Sequence, residues 1–369
     1  MMRKIKIIIL TSLLIFCKSI FAETELVVSS TFGAIDIPTD SLDELIVGYD
    51  KIIDKNIQNL SNGMFFANST GYPVGTPHIK PFPHFTSGLA LGAGLTNMSY
   101  FDEDEKNSED LPSGGISGGL LWGSGLSGKM DYILKVFWYD LLIYDPTDNP
   151  FLSDYPLDMK EFTLFLFGGK IRYMLVGEKK LIPFLFNLRG ININLGADLM
   201  RGTIRAAGEY DKTFDLGTVS VDPDGAGAAP AQDVDVYLEI SEYNVELQWL
   251  QLSLTAQAFM YFNIIKILNF YTGPSATIGY GFFSLEAEID GIVNTDDTTF
   301  RGAAGMAAGD TLANANLTSE SRYSPYPWIP AYTFGLELNL PFLKITADTS
   351  VNLYNKEDIT ASVGTRVEF

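Results

Sequence analysis

The chain has 369 residues, a formal net charge of −20, 34 glycines, 25 phenylalanines, 18 tyrosines and one cysteine. That acidity argues against nucleic acid and anionic membrane surfaces as partners, and Cys17 alone supports neither a disulfide nor a cysteine-ligated metal. The glycine and aromatic content suits closely packed β structure better than a helical enzyme.

The first 22 residues, MMRKIKIIILTSLLIFCKSIFA, set Arg3, Lys4 and Lys6 before an apolar run from Ile7 to Phe16, with Ala22 ahead of Glu23. The run is too short to span a bilayer, so the pattern predicts a secretory signal peptide over 1–22, cleaved after Ala22. Cleavage removes the cysteine and four basic residues, taking the net charge to −24.

Residues 23–83 form an expected plug or hatch. Within SLDELIVGYDKIIDKNIQNL a helix is predicted over 41–60, because Ser41 and Glu44 have capping-box spacing. Leu42, Leu45, Ile46, Tyr49, Ile52, Ile53, Ile57 and Leu60 share one stripe. Asn62-Gly63 is the expected stop, and an ordered loop rich in glycine, proline and aromatic residues follows. An apolar stripe has to be buried, and a barrel lumen or its lower rim offers the surface. Leu45, Ile46, Tyr49, Ile52 and Ile53 are the candidate plug contacts.

From residue 84 the dominant period is two. Phe85, Leu89, Leu91, Ala93 and Leu95 alternate with Thr86, Gly88, Gly92, Gly94 and Thr96, and similar alternation recurs to the end of the chain. Strands are expected near 85–100, 114–126, 129–144, 159–176, 184–208, 234–262, 268–292, 327–340, 343–354 and 358–369. The apolar phase flips at Trp249-Leu250, which is read as a bulge in one long strand. A tight turn there would change the count, with twelve strands as the alternative.

Long polar links over 101–113, 145–158, 209–233 and 293–326 alternate with short ones over 127–128, 177–183, 263–267 and 341–342, and only the short 355–357 link breaks the order. Periplasmic turns are short and outer loops long in outer-membrane barrels, and an even strand count puts both termini on the periplasmic side. The expected fold class is therefore all-β: an antiparallel transmembrane up-and-down β-barrel of about ten strands over 84–369, preceded by a helix-containing plug. Asn192, Asn194, Asp198, Glu337, Asn339, Asp348 and Asn352 lie on its polar faces and are the candidate lumen-lining residues. Trp122, Trp138, Trp249 and Trp328 are expected in interfacial girdles.

The last strand, ITASVGTRVEF, ends on Phe369 and resembles the C-terminal assembly signal of bacterial outer-membrane proteins. The resemblance makes the barrel-assembly machinery a partner, along with outer-membrane lipid. An N-terminal hatch ahead of a barrel, with a helix at 41–60, FANSTG at Phe66–Gly71 and the terminal Phe369, resembles the bacterial long-chain fatty-acid transporter family in architecture. That likeness implies an uptake barrel.

Catalytic sets are not legible. His78 and His84 both precede the first strand without a serine or aspartate partner in a recognisable motif, and are read as rim residues. The acidic stretches at 102–110, 221–225 and 294–299 are read as solvated outer loops. The expectation is no enzyme, no cofactor and no metal, in the bacterial cell outer membrane. The leading role is a channel for small molecules, hydrophobic ones among them; the alternative is a structural or surface-interaction, adhesin-like barrel without transport.

Overall fold

A computed structural model describes residues 20–30, 57–71, 75, 85–96, 113–142, 159–182, 186–221, 232–264, 267–307, 310–325, 327–356 and 358–369. In chain order these hold β1 (Ile20–Ser30), helix α1 (57–70), β2 (Phe85–Thr96), β3 (Ser113–Ser127), β4 (Met130–Leu142), β5 (Met159–Val176) and β6 (Lys179–Ile182). There follow β7 (Phe186–Val221), β8 (Gln232–Ile264), β9 (Leu268–Asn294), α2 (Thr298–Ala303), β10 (Ala313–Tyr323), β11 (Trp328–Asn339), β12 (Leu343–Asn352) and β13 (Ile359–Glu368).

Ten of these strands close on themselves. β2, β3, β4, β5, β7, β8, β9, β11, β12 and β13 pair antiparallel in sequence, and β13 returns to β2 from Ile359↔Leu95 to Glu368↔Thr86. Closure removes the sheet edges. Alternation sets which side chains face in: on β8, Gln251, Ser253, Thr255 and Gln257 are buried, while Leu250, Leu252 and Leu254 stand exposed between them. The same outward apolar belt includes Leu91, Ile116, Leu134, Phe167, Leu195, Ile278, Leu336 and Val363. Ten strands, as expected, make the ring.

The expected bulge at Trp249-Leu250 is absent. Register runs unbroken there, with Trp249 opposite Gly202 and Phe283 and Leu250 opposite Arg201 and Phe282. What changes is the polarity of the faces. Below this level the apolar residues point out. Above it Trp249 and Leu247 point in, and Gln248 and Glu246 take the outer face. β7 does the same, its outward Leu195 giving way to outward Arg201 and Arg205 while Met200, Ile204 and Ala206 turn inward. A strand that leaves a membrane for water must reverse its polar face without shifting register. The shifts lie elsewhere, between Ile240 and Glu242 on β8 and at three places on β7.

β7, β8 and β9 are 36, 33 and 27 residues long, where about 9–11 residues cross a bilayer. Their upper parts form a sheet beyond the belt, joined by β10 on β9 and by β1 on β10. Much of the expected loops at 209–233 and 293–326 is thus ordered strand. This extension has its own core of Val234, Val236, Val293, Phe300, Leu312, Ala313 and Ala315. Helix α2 brings Phe300 to it and is capped by Asp297, whose Oδ1 accepts from the backbone N–H groups of Thr299 and Phe300 at 2.8 and 3.0 Å. The acidic run at 294–299 therefore caps a helix instead of forming a free loop.

One further expectation is corrected. Asn62-Gly63 does not stop the helix, which continues to residue 70 with residues 61–70 buried on all sides. Glycine is a poor helix former in water, but here the barrel wall packs against it and leaves no solvent to satisfy a turn. Both ends of the barrel lie at the short-turn rim as strand parity requires, with the Phe369 N–H donating to the Phe85 carbonyl at 3.0 Å, while β1, ahead of the barrel, pairs beyond the opposite rim.

Candidate functional site

Helix α1 occupies the lumen. Its carbonyls at Asn59 and Ser61 accept from Thr96 Oγ1 at 3.2 Å and Gln251 Nε2 at 3.1 Å, and Thr70 Oγ1 lies 3.1 Å from Thr360 Oγ1. Small residues let it come close. A Cβ on Gly92 would overlap the Gly71 carbonyl, and one on Gly279 would overlap the Phe65 ring. Phe65 and Phe66 are fully buried against Ile329 and Ala331. On the loop side Ile57 and Met64 join Leu164, Leu166, Met200, Trp249 and Phe283 in one apolar cluster. Trp249 stacks on Phe283 at 5.5 Å and is a lumen residue, not a girdle one. Trp122, Trp138 and Trp328 are exposed on the outer wall as expected.

Buried ion pairs fill the space below. Lys135 Nζ donates to the Asn68 carbonyl at 3.1 Å and to Asn68 Oδ1 at 3.2 Å, and lies 3.3 Å from Asp198. Arg172 holds both carboxylate oxygens of Asp131 and donates to the Gly75 carbonyl at 3.2 Å. Gly75 has φ +59°, a conformation that favours glycine, and its N–H donates to the Tyr271 hydroxyl at 3.4 Å. Tyr271 in turn donates to Asp348 at 2.9 Å. The strand wall therefore grips the plug at Asn68 by a lysine and at Gly75 by an arginine and a tyrosine.

The candidate lumen residues are all in or near this filling. Asn192, Asn194, Asp198, Glu337, Asp348 and Asn352 are buried, and Asn339 is half-buried. Asn194 Nδ2 donates to Gln257 at 3.4 Å, Glu337 accepts from Asn269 at 2.9 Å and Arg366 at 2.7 Å, and Asp348 accepts from Ser362. Asn352 donates to Asp358 at 2.9 Å. Asn339 instead sits at the short-turn rim, where its N–H reaches the Ile267 carbonyl at 2.7 Å. Lys135, Lys170, Arg172, Arg366 and Asp131 were missed as lumen residues. Their signal is a charge on the inward phase of an otherwise apolar strand, as with Asp131 and Lys135 in MDYILKVFW and with Lys170 and Arg172 two residues apart on β5. Leu45, Ile46, Tyr49, Ile52, Ile53, His78 and His84 lie outside the described residues.

Beyond the belt the outward face of β8, β9 and β10 is acidic. Glu242 stands opposite Asp290, Glu246 opposite Glu286, and Glu286 opposite Glu320. Arg205 on β7 offsets part of this, donating to Glu246 at 2.8 Å. Gln248 first, and then Arg205, hold the Glu246 carboxyl below its ordinary range. A groove of about 840 Å³ runs between Lys160, Arg205, Glu242, Glu246, Glu288 and Asp290.

A ring of ten antiparallel strands, an outward apolar belt and an inserted helix define a plugged, membrane-spanning β-barrel. Solved structures similar to it include the Ralstonia pickettii toluene transporter TbuX (9% identity, TM-score 0.24, covering 85% of this chain and 98% of that one). A Pseudomonas aeruginosa FadL homologue (9%, 0.19, 84% and 96%) and the Yersinia pestis attachment invasion locus protein Ail (12%, 0.23, 77% and 98%) are others. No curated protein matches the sequence at significance. The chain belongs to the Lsa36-like family, whose family model matches residues 39–369.

Proposed function

We propose that this protein is a bacterial outer-membrane barrel whose role is surface interaction: it holds an ordered β-sheet outside the cell and keeps its own lumen shut. One observation carries this reading. The strands that are longest are long on the loop side only, and there they build a second core around Phe300, whereas the lumen is packed with helix α1 and buried ion pairs. A barrel this narrow is readily filled by side chains. The leader-like 1–22 segment and the terminal Phe369 support export to the outer membrane.

Conduction fits the geometry less well. An uptake route would require α1 to leave its contacts with the buried Lys135 and Gln251 and to withdraw Phe65 from beside Gly279. The test is a variant with residues 208–243 replaced by a short turn, expressed in cells that attach to a host-cell layer through the intact protein. The shortened barrel should still assemble, and attachment should be lost. Attachment unchanged by an assembled, shortened barrel would contradict the reading.

A further inference from the structure

Strand β1 pairs with β10 without interruption from Glu23↔Glu320 to Ser30↔Ala313, and the shift on this edge falls between Ile20 and Glu23. Regular pairing thus begins at the residue expected to follow leader cleavage. On its other side β10 pairs with β9 from Ala313↔Val293 to Tyr323↔Phe283, which is wholly beyond the apolar belt. Further along the chain, Asn59 meets Thr96, at the loop-side end of β2. Gly75 lies deeper, beside Arg172 and Tyr271, and Phe85 stands at the short-turn rim next to Phe369. The chain therefore enters the barrel from the loop side and leaves it on the turn side.

We infer that the N-terminal segment is threaded through the barrel, so that residues Glu23–Ser30 form a strap on the outer side of the membrane. The strap seats on the edge of β10, which accepts an extended strand. The inference rests on the outward orientation of the long strands proposed above. An open edge offers a row of unpaired N–H and C=O groups to any passing strand. Here β1 fills that row on β10 and becomes the edge strand of the external sheet itself.

The test uses the full chain on intact cells, with an epitope tag inserted after Ala22 in one version and within 222–231 in another. Both tags should be readable from outside without permeabilisation. A readable tag at 222–231 with an N-terminal tag readable only after permeabilisation would overturn the threading and leave the orientation standing. Neither tag readable would overturn the orientation and the strap together. Because a tag could disturb assembly, an untagged Val27→Cys/Asn316→Cys chain provides a second readout, as these residues are register partners. A short bis-maleimide should give cross-linked monomer as the major product. Cross-linked dimer instead, or no cross-link in assembled protein, would overturn the strap in its intramolecular form.

Discussion

Lys135 and Asp198 lie 3.3 Å apart over Gly168, the β5 residue that is register partner to both, with neither side chain reaching solvent, and the same lysine holds the carbonyl of Asn68 on helix α1. Wall and plug are thus joined through one buried charge pair. Breaking such a pair leaves an uncompensated buried charge and costs about 3–5 kcal/mol, whereas an apolar replacement of both partners is often neutral. Asp198→Asn or Lys135→Met should therefore lower the temperature at which the barrel loses its compact gel mobility. The double variant Lys135→Met/Asp198→Leu should recover much of the loss. Equal losses in single and double variants would argue against the pairing.

Phe65 and Gly279 should be coupled in the same way. Gly279→Val forces its side chain into the Phe65 ring and should displace the plug, while Phe65→Ala empties a core position at about 3–5 kcal/mol. Together they should cost less than their sum, since each relieves the other's strain or void. A double-mutant cycle on thermal unfolding reads the interaction energy directly.

The reversal of polarity along β7 and β8 locates the membrane boundary. Leu254→Arg, on the exposed belt, should cost about 2–4 kcal/mol of folding free energy in vesicles. Asn244→Arg, on the outward face of the same strand but above the boundary, should stay within about 0.5 kcal/mol. Comparable penalties at the two sites would place the boundary elsewhere.

Phe369 is exposed at the short-turn rim, and its N–H joins the last strand to the first. Its deletion should reduce the amount of folded barrel in the outer-membrane fraction several-fold, against little change for a substitution in 222–231. Measuring heat-modifiable protein in that fraction decides the matter.

All ten barrel strands were legible because period-two alternation needs no knowledge of partners, and every strand carried it through the belt. The Trp249-Leu250 flip was legible as an event but not as a cause. A bulge and a change of solvent leave the same mark on hydropathy, and only the unbroken pairing with Gly202 and Phe283 separates them. The end of α1 is not legible, because Asn62-Gly63 is a stop signal in water, while here the neighbouring wall replaces water. Six of the seven candidate lumen residues are buried, since a polar residue on an apolar strand has few other places to go. The charges that grip the plug are not legible as such, because an inward lysine or arginine does not reveal its partner. The path of the N-terminus was not legible at all, as strand parity constrains the barrel and says nothing of a segment drawn through it.

Single-channel recording of the full chain in a planar bilayer tests most directly whether the lumen is closed beneath the ordered external sheet. A closed lumen gives baseline conductance over the voltage range in which the barrel remains folded. A sustained, ohmic open level from the intact protein would contradict it.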